Sequence, residues 1–258
     1  MNQGVQYLSL ADRKLAYQHR NAAVGQETLP GIVFLGGFAS DMTGTKASFL
    51  DEFCAQNGWG YLRYDYRGHG ASSGKFEDGC IGDWLDDTLK ILDELTKGPQ
   101  ILVGSSMGGW IGLLALRARP SRIAGFVGIA AAPDFTEDLI APTMTAAQKE
   151  AMARDGYFFE KTEEELTDIN IGQVPITRKL MEEARGQLVL RSPLAFTGPV
   201  RLLQGQRDRE VPWQTALKIA DHIASTDVAV TLVKDADHRF SRDQDLVLIG
   251  QTIITLMS

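Results

Sequence analysis

The stretch Gln100-Ile101-Leu102-Val103-Gly104-Ser105-Ser106-Met107-Gly108-Gly109-Trp110 joins an apolar run suited to a buried strand to an apolar run suited to a deeply packed helix. Within it stands G-x-S-x-G, with Gly104 and Gly108 two residues to either side of Ser106. A serine on a sharp strand-to-helix turn is held in a strained backbone conformation, and side chains two positions before and after it would collide. The two glycines meet that demand. The turn also puts the serine at a helix N-terminus, where unpaired N–H groups and the helix dipole favour an oxyanion. The stretch therefore predicts an elbow with Ser106 as nucleophile and the N–H of Met107 as one oxyanion donor. Ser105 lacks the paired glycines and is the weaker candidate.

Working outward, short aliphatic or β-branched runs alternate with amphipathic stretches, the pattern of a parallel sheet covered by helices on both faces. Strands are expected at Val5–Leu10, Lys14–His19, Gly31–Leu35, Gly60–Tyr64, Ile101–Val103, Gly125–Ile129, Val200–Leu203 and Val228–Val233. The first two lie too close for a helical crossover and should pair antiparallel. Helices are expected at Lys46–Gln56, Ile81–Leu95, Ser106–Ala118, Trp213–His222 and Asp243–Leu256. From Pro133 to about Arg191 the alternation stops, and the charge-rich stretches TAAQKEAMARD, TEEELTDI and TRKLMEEAR suggest helices with no convincing strand. The expectation is an α/β fold: one domain over residues 1–258, a mostly parallel eight-stranded sheet with helices on both faces, and a helical cap inserted at about 133–191.

A serine hydroxyl needs a base within hydrogen-bond reach, and only four histidines are present. His19 falls in the N-terminal hairpin and His222 on the outer face of a late helix. His69, in Arg67-Gly68-His69-Gly70, could border the site but precedes the serine. His238, in Lys234-Asp235-Ala236-Asp237-His238-Arg239, follows the last strand and fits the order nucleophile, acid, base that such an elbow carries. The carboxylate that fixes its tautomer is assigned to Asp208, in the loop Gly205–Pro212. Glu210, Asp134 and Asp65 are the alternatives, each also explicable as a loop or helix cap. Asp235 and Asp237 flank His238 too closely to reach its far nitrogen.

A second oxyanion donor should come from the loop after the third strand, Gly36-Gly37-Phe38, where glycines let the backbone approach a substrate and the N–H of Phe38 is the donor. A plain tight turn would also explain the glycine pair. Gly37, Trp110, Leu139, Tyr157 and Trp213 are the candidate substrate-binding residues. Ile140, Met144, Phe158 and Phe159 share with Leu139 and Tyr157 an apolar character that either an acyl pocket or core packing would explain.

The chain has 258 residues, 44% hydrophobic and 23% charged, with a formal net charge of −7. That balance argues against nucleic acid or an anionic membrane as partner, since both are bound by clustered Lys and Arg. No run approaches the roughly 18 apolar residues of a membrane span, and the N-terminus has no basic start followed by an apolar run, so a cytoplasmic, unanchored protein is expected. Cys54 and Cys80 have no partner at ligand spacing. The chemistry calls for no metal and no cofactor.

Beyond these separate signals, the blocks Gly44–Cys54 (GTKASFLDEFC), Asp65–Gly74 (DYRGHGASSG), Gly98–Trp110 (GPQILVGSSMGGW), Arg201–Trp213 (RLLQGQRDREVPW) and Ser225–Arg239 (STDVAVTLVKDADHR) resemble the α/β-hydrolase superfamily. Within it they resemble the family of the mitochondrial acyl-protein thioesterase, also described as mycophenolic acid acyl-glucuronide esterase. The resemblance implies a doubly wound fold with a helical lid, a triad on Ser106, Asp208 and His238, and substrates that are acyl thioesters or activated acyl esters. A small-molecule ester or thioester is then the expected partner, with S-acylated protein as a further one, and the chain acts as a monomer or homodimer. No transit segment is visible, and Pro133–Arg191 matches poorly. A carboxylesterase or carbon–carbon hydrolase using the same triad, or a catalytically silent binding protein of the same fold, remain the rival readings.

Overall fold

The computed structural model describes residues 4–159 and 174–257. In chain order it runs β1 (Gln6–Ser9), β2 (Lys14–Arg20), β3 (Gly31–Leu35), α1 (Thr45–Asn57), β4 (Tyr61–Tyr64), α2 (Ile81–Leu95), β5 (Gln100–Ser105), α3 (Met107–Ala118) and β6 (Ile123–Ile129). There follow α4 (Ala141–Thr143), α5 (Ala146–Asp155), β7 (Tyr157–Phe159), β8 (Pro175–Thr177), α6 (Arg178–Ala184), β9 (Val200–Gly205), α7 (Gln214–His222), β10 (Val228–Val233) and α8 (Asp243–Met257).

Eight strands make one sheet in the order β1-β2-β4-β3-β5-β6-β9-β10, and every pair from β4 to β10 is parallel. The β1–β2 hairpin pairs antiparallel, with Leu8 opposite Leu15, as its short connection requires. Alternation along β3 separates the two cores. Ile32 and Phe34 join Leu50 and Cys54 of α1 and Ile249 and Ile253 of α8 on one face. Val33 and Leu35 join Trp84 of α2 and Ile111 and Leu114 of α3 on the other. Burial on both faces is why the central strands read as unbroken apolar runs. Between the hairpin and α2, the fully buried carboxylate of Asp87 takes N–H groups of Arg13 at 2.7 Å and of Arg67 at 2.8 Å.

The inserted segment departs from the all-helical expectation. A π-helical turn at Thr136–Ile140, α4 and α5 lead into β7, which pairs antiparallel with β8 with Phe158 opposite Ile176. Three-residue strands are too short to show a period of two, and their partners lie far apart in sequence, so nothing local announces them. TEEELTDI, at 162–169, lies outside the described residues. The local start of α5 is readable: Thr145 Oγ1 accepts from the N–H of Gln148 at 3.2 Å while Gln148 Oε1 accepts from the N–H of Thr145 at 2.9 Å, a reciprocal cap.

Asp134 closes the base of this segment. Its buried carboxylate accepts the N–H of Val189 at 2.8 Å and of Leu190 at 2.9 Å and meets Arg191 at 3.3 Å, joining the segment's first and last turns. Burial pushes its pKa up, against the pull of those two N–H groups and Arg191. The segment docks on α2 through α6: Glu183 accepts the N–H of Gly82 at 2.9 Å, where the helix N-terminus favours a negative charge, and Lys179 pairs with Asp83 at 2.8 Å.

Asp134→Ala strands two buried donors at about 1–3 kcal/mol each, offset in part by relief of a buried charge, so a loss of about 2–4 kcal/mol is expected in urea unfolding. Asp138→Ala, which removes an exposed partner of Arg191, should change stability by under about 1 kcal/mol.

Candidate active site

β5 ends at Ser105 and α3 begins at Met107, and between them Ser106 takes φ 54° and ψ −118°, a conformation that few residues other than glycine adopt. The backbone fixes it from both sides: the N–H of Ser106 donates to Ile129 at 2.9 Å, and its carbonyl accepts from Gly109 at 2.8 Å and from Ala132 at 3.0 Å. The predicted glycines are required sterically. A Cβ on Gly104 would lie 2.4 Å from the carbonyl oxygen of Gly108, and one on Gly108 would lie 2.2 Å from that of Leu35.

The loops after β9 and β10 converge beside the serine. A Cβ on Gly205 would lie 2.3 Å from the carbonyl of Ala236, and Arg207 donates its N–H to that carbonyl at 3.0 Å. This brings Asp208 Oδ2 to 2.8 Å from His238 Nδ1, and His238 Nε2 to 2.9 Å from Ser106 Oγ. An ionised carboxylate only accepts, so Nδ1 carries the proton and Nε2 presents its lone pair to the serine hydroxyl. Asp208 also accepts from the N–H of Glu210 at 2.9 Å, of Val211 at 2.8 Å and from Gln204 Nε2 at 2.8 Å. Burial raises its pKa, but the hydrogen bond and charge of His238 and the two backbone N–H groups outweigh burial and hold it below the ordinary carboxylate value.

Ser106 opens into a cavity of about 200 Å³. Gly37, Phe38 and Met107 line it, and among the described residues the N–H groups of Phe38 and Met107 donate to no other protein group. Gly37 passes close to the serine: a Cβ there would sit 3.5 Å from Ser106 Cβ. The Phe38 ring anchors this loop, edge-on to Phe76 at 4.8 Å, Phe135 at 5.9 Å and Trp84 at 6.0 Å between ring centres. The segment after β6 supplies the apolar lining residues Phe135, Leu139, Ile140 and Ile176, while Lys46, Glu210 and Arg239 add charge to the lining.

Of the residues expected to bind substrate, Gly37 and Leu139 line this cavity and Trp110, Tyr157 and Trp213 do not. Trp110 is fully buried behind Phe135, at 5.4 Å between ring centres, with its Nε1 donating to the carbonyl of Gln187 at 3.1 Å. Tyr157 projects outward from β7, 42% exposed against Phe159, while Phe158 between them turns into the core. Trp213 is half-buried just before α7. Phe135 and Arg239 escape the sequence reading because loop side chains carry no periodic signal, and Lys46 because nothing local marks a first-turn lysine as facing a cavity.

The competing histidines and carboxylates have other surroundings. His69 is buried among Tyr66, Phe76 and Trp84, its Nδ1 is 3.2 Å from the carbonyl of Arg67, and burial brings its pKa down to about 4. His222 Nδ1 donates to the carbonyl of Lys218 at 2.8 Å. Asp65 accepts the N–H groups of Met42 and Ala71, and Asp134 closes the insertion. Glu210 approaches the other side of the imidazole, 3.4 Å from His238 Nε2. Among the described residues no cluster of His, Cys, Asp and Glu could hold a metal ion, and no helix is long and apolar enough to cross a membrane.

The family model described as serine aminopeptidase, S33, matches residues 27–245. Mitochondrial palmitoyl-protein thioesterase ABHD10 of Bos taurus is 40% identical over 229 residues, 88% of this chain and 73% of the relative. The structure of a protein from Agrobacterium vitis S4 superposes with a TM-score of 0.89 at 41% identity, covering 99% of this chain and 100% of that one. Mouse α/β-hydrolase domain-containing protein 10 superposes with a TM-score of 0.87 at 36% identity, covering 98% of each chain.

Gly108→Ala should cost more than about 3 kcal/mol in urea unfolding or prevent folding, because backbone rather than a side-chain tip blocks the new methyl. Gly36→Ala, which meets open space, should stay within about 1 kcal/mol. Stability contributed by ionised Asp208 is present above its ordinary value of 3.8 and is lost as pH falls through its lower folded value. The stability advantage of wild type over Asp208→Asn should therefore shrink below about pH 4, as checked by urea melts across that range.

Proposed function

The chain belongs to the α/β-hydrolase family described as serine aminopeptidase, S33, together with the mammalian palmitoyl-protein thioesterase ABHD10, and on that footing we propose that it cleaves acyl thioesters or activated carboxylic esters, of the S-acyl or acyl-glucuronide type, through an acyl-enzyme. The observation that carries this reading is the unbroken series Asp208–His238–Ser106, with links of 2.8 Å and 2.9 Å, ending at a strained serine that faces a cavity.

In this mechanism Ser106 Oγ attacks the acyl carbonyl as its proton passes to His238 Nε2. The imidazolium so formed is stabilised by Asp208, whose carboxylate is pinned by Glu210, Val211 and Gln204 and cannot turn away. The negative charge that develops on the carbonyl oxygen is received by the N–H groups of Met107 and Phe38, each such donor contributing about 2.7–4 kcal/mol to transition-state stabilisation. His238 then gives its proton to the departing sulfur or oxygen. A water molecule repeats the sequence on the acyl-enzyme, releasing the carboxylic acid and restoring Ser106.

The segment at about 133–191 acts as a cap on a single domain, its apolar wall receiving the acyl group. S-acylated protein is a further substrate in this reading. The cytoplasm is the proposed location, whereas the mammalian relatives are described as mitochondrial.

The test is turnover of matched thioesters and oxygen esters over a range of acyl lengths, with mass spectrometry of the trapped enzyme. Wild type should turn over and carry an acyl adduct on Ser106, Ser106→Ala should do neither, and Asp208→Asn should lose up to about 10⁴-fold in kcat. Absence of both turnover and adduct in the wild type would overturn the enzymatic reading.

A further inference from the structure

The cavity holds a lysine that the acyl-transfer chemistry leaves unused. Lys46 stands in the first turn of α1, where the helix dipole disfavours a cation, and its side chain is drawn inward to line the wall beside Ser106. Its ammonium donates to two neutral acceptors, the carbonyl of Arg239 and Ser241 Oγ, the latter at 3.3 Å. Among the described residues no carboxylate lies within ion-pair distance of it, and an ammonium has three protons to place. Asp237 and Asp245 act on it only from further away. Burial, helped by Arg239 and opposed by those two carboxylates, brings its pKa down to about 8. A cation that is desolvated, at the unfavourable end of a helix and, among the described residues, without a carboxylate in contact is destabilising to the fold, and such an arrangement fits a group held ready for an anion.

The walls of the cavity say which part of a substrate that anion belongs to. Phe135, Leu139, Ile140 and Ile176 cannot solvate charge and suit an acyl chain, whereas Lys46 in the same lining suits a charged group, which on a fatty or aryl acyl substrate is carried by the leaving group. The carboxylate in that lining, Glu210, is 54% exposed and already sits 3.4 Å from His238 Nε2.

We propose that Lys46 is a specificity residue that binds a carboxylate carried by the leaving group of the ester or thioester at Ser106. This deepens the hydrolase reading and rests on it. The charge-assisted hydrogen bond forms with the leaving group in place and is broken when the thiol or alcohol departs with its carboxylate.

The experiment compares S-acyl N-acetylcysteine with S-acyl N-acetylcysteinamide, two thioesters of nearly the same shape that differ by one negative charge, and an S-acyl thiocholine, whose quaternary ammonium carries a positive one and cannot take the acyl group itself. Wild type should prefer the carboxylate over the carboxamide by about tenfold or more in kcat/KM at pH 7. Lys46→Met should bring that ratio down to about one, and Lys46→Arg should retain it. Raising the pH through about 8 should erode the ratio in wild type and leave it constant in Lys46→Arg, whose guanidinium stays charged. The ratio cancels any pH effect on the acyl-transfer steps that both substrates share.

A wild type without charge preference, a preference that survives in Lys46→Met, or a preference for the ammonium thiol that assigns the charge recognition to Glu210, would each overturn the proposal while leaving the hydrolase standing. No turnover of any of the three would sink the hydrolase reading and this proposal with it.

Discussion

Everything at the site is measured from one close approach of backbones. β5, α3 and the turn after β3 meet so tightly that Gly108 has the carbonyls of Leu35 and Gly36 where a methyl group would be, and Gly109 and Gly112 have the same relation to Ala131 and the ring of Phe126. Each glycine weakens α3 as an isolated helix by about 0.5–1 kcal/mol, which the apolar packing of that helix offsets. What the sheet gains is a helix lowered onto it, with Ser106 forced upward at the joint. The loops of Asp208 and His238 are then positioned relative to that serine by a second close contact, Gly205 against Ala236.

Strain collects at the same edge. Ala39, Ser106, Ala130, Asp134 and Phe240 all have positive φ, and all follow the carboxyl ends of β3, β5, β6 or β10. Residues of this kind cost about 1–3 kcal/mol each and persist only where surrounding structure dictates them. Here that structure is the doubly covered sheet, whose two cores make the strand ends rigid enough to carry bent loops. Asp134 adds its own conformational strain to a buried charge, and it is tolerated because it satisfies two backbone donors at once.

The sheet was legible because burial on both faces writes long apolar runs, and the elbow because steric exclusion allows few residues other than glycine at Gly104 and Gly108. His238 and Asp208 could be chosen by chain order, and His238 is hydrogen-bonded to Asp208 through one ring nitrogen and to Ser106 through the other. What could not be read was direction. Nothing in their composition distinguishes Trp110, buried behind the cavity wall, or Tyr157, turned to solvent, from Leu139, which faces inward. Phe158 enters the core between two exposed aromatic neighbours because a strand alternates, but the strand itself is only three residues long. Lys46 looked like an ordinary helix-opening lysine, since its desolvation comes from the loop of Arg239 and Ser241, almost two hundred residues away.

The clamp at Asp134 has a consequence for engineering. Because one carboxylate holds both ends of the segment together, its base stays closed when the chain between them changes in length. Closure entropy grows slowly, by about 0.6 kcal/mol for each doubling of loop length. Length can therefore change at low cost between Asp134 and Val189, while the contacts of Phe135 with Phe38, of Phe158 and Ile176 with the core and of Lys179 and Glu183 with α2 constrain any replacement.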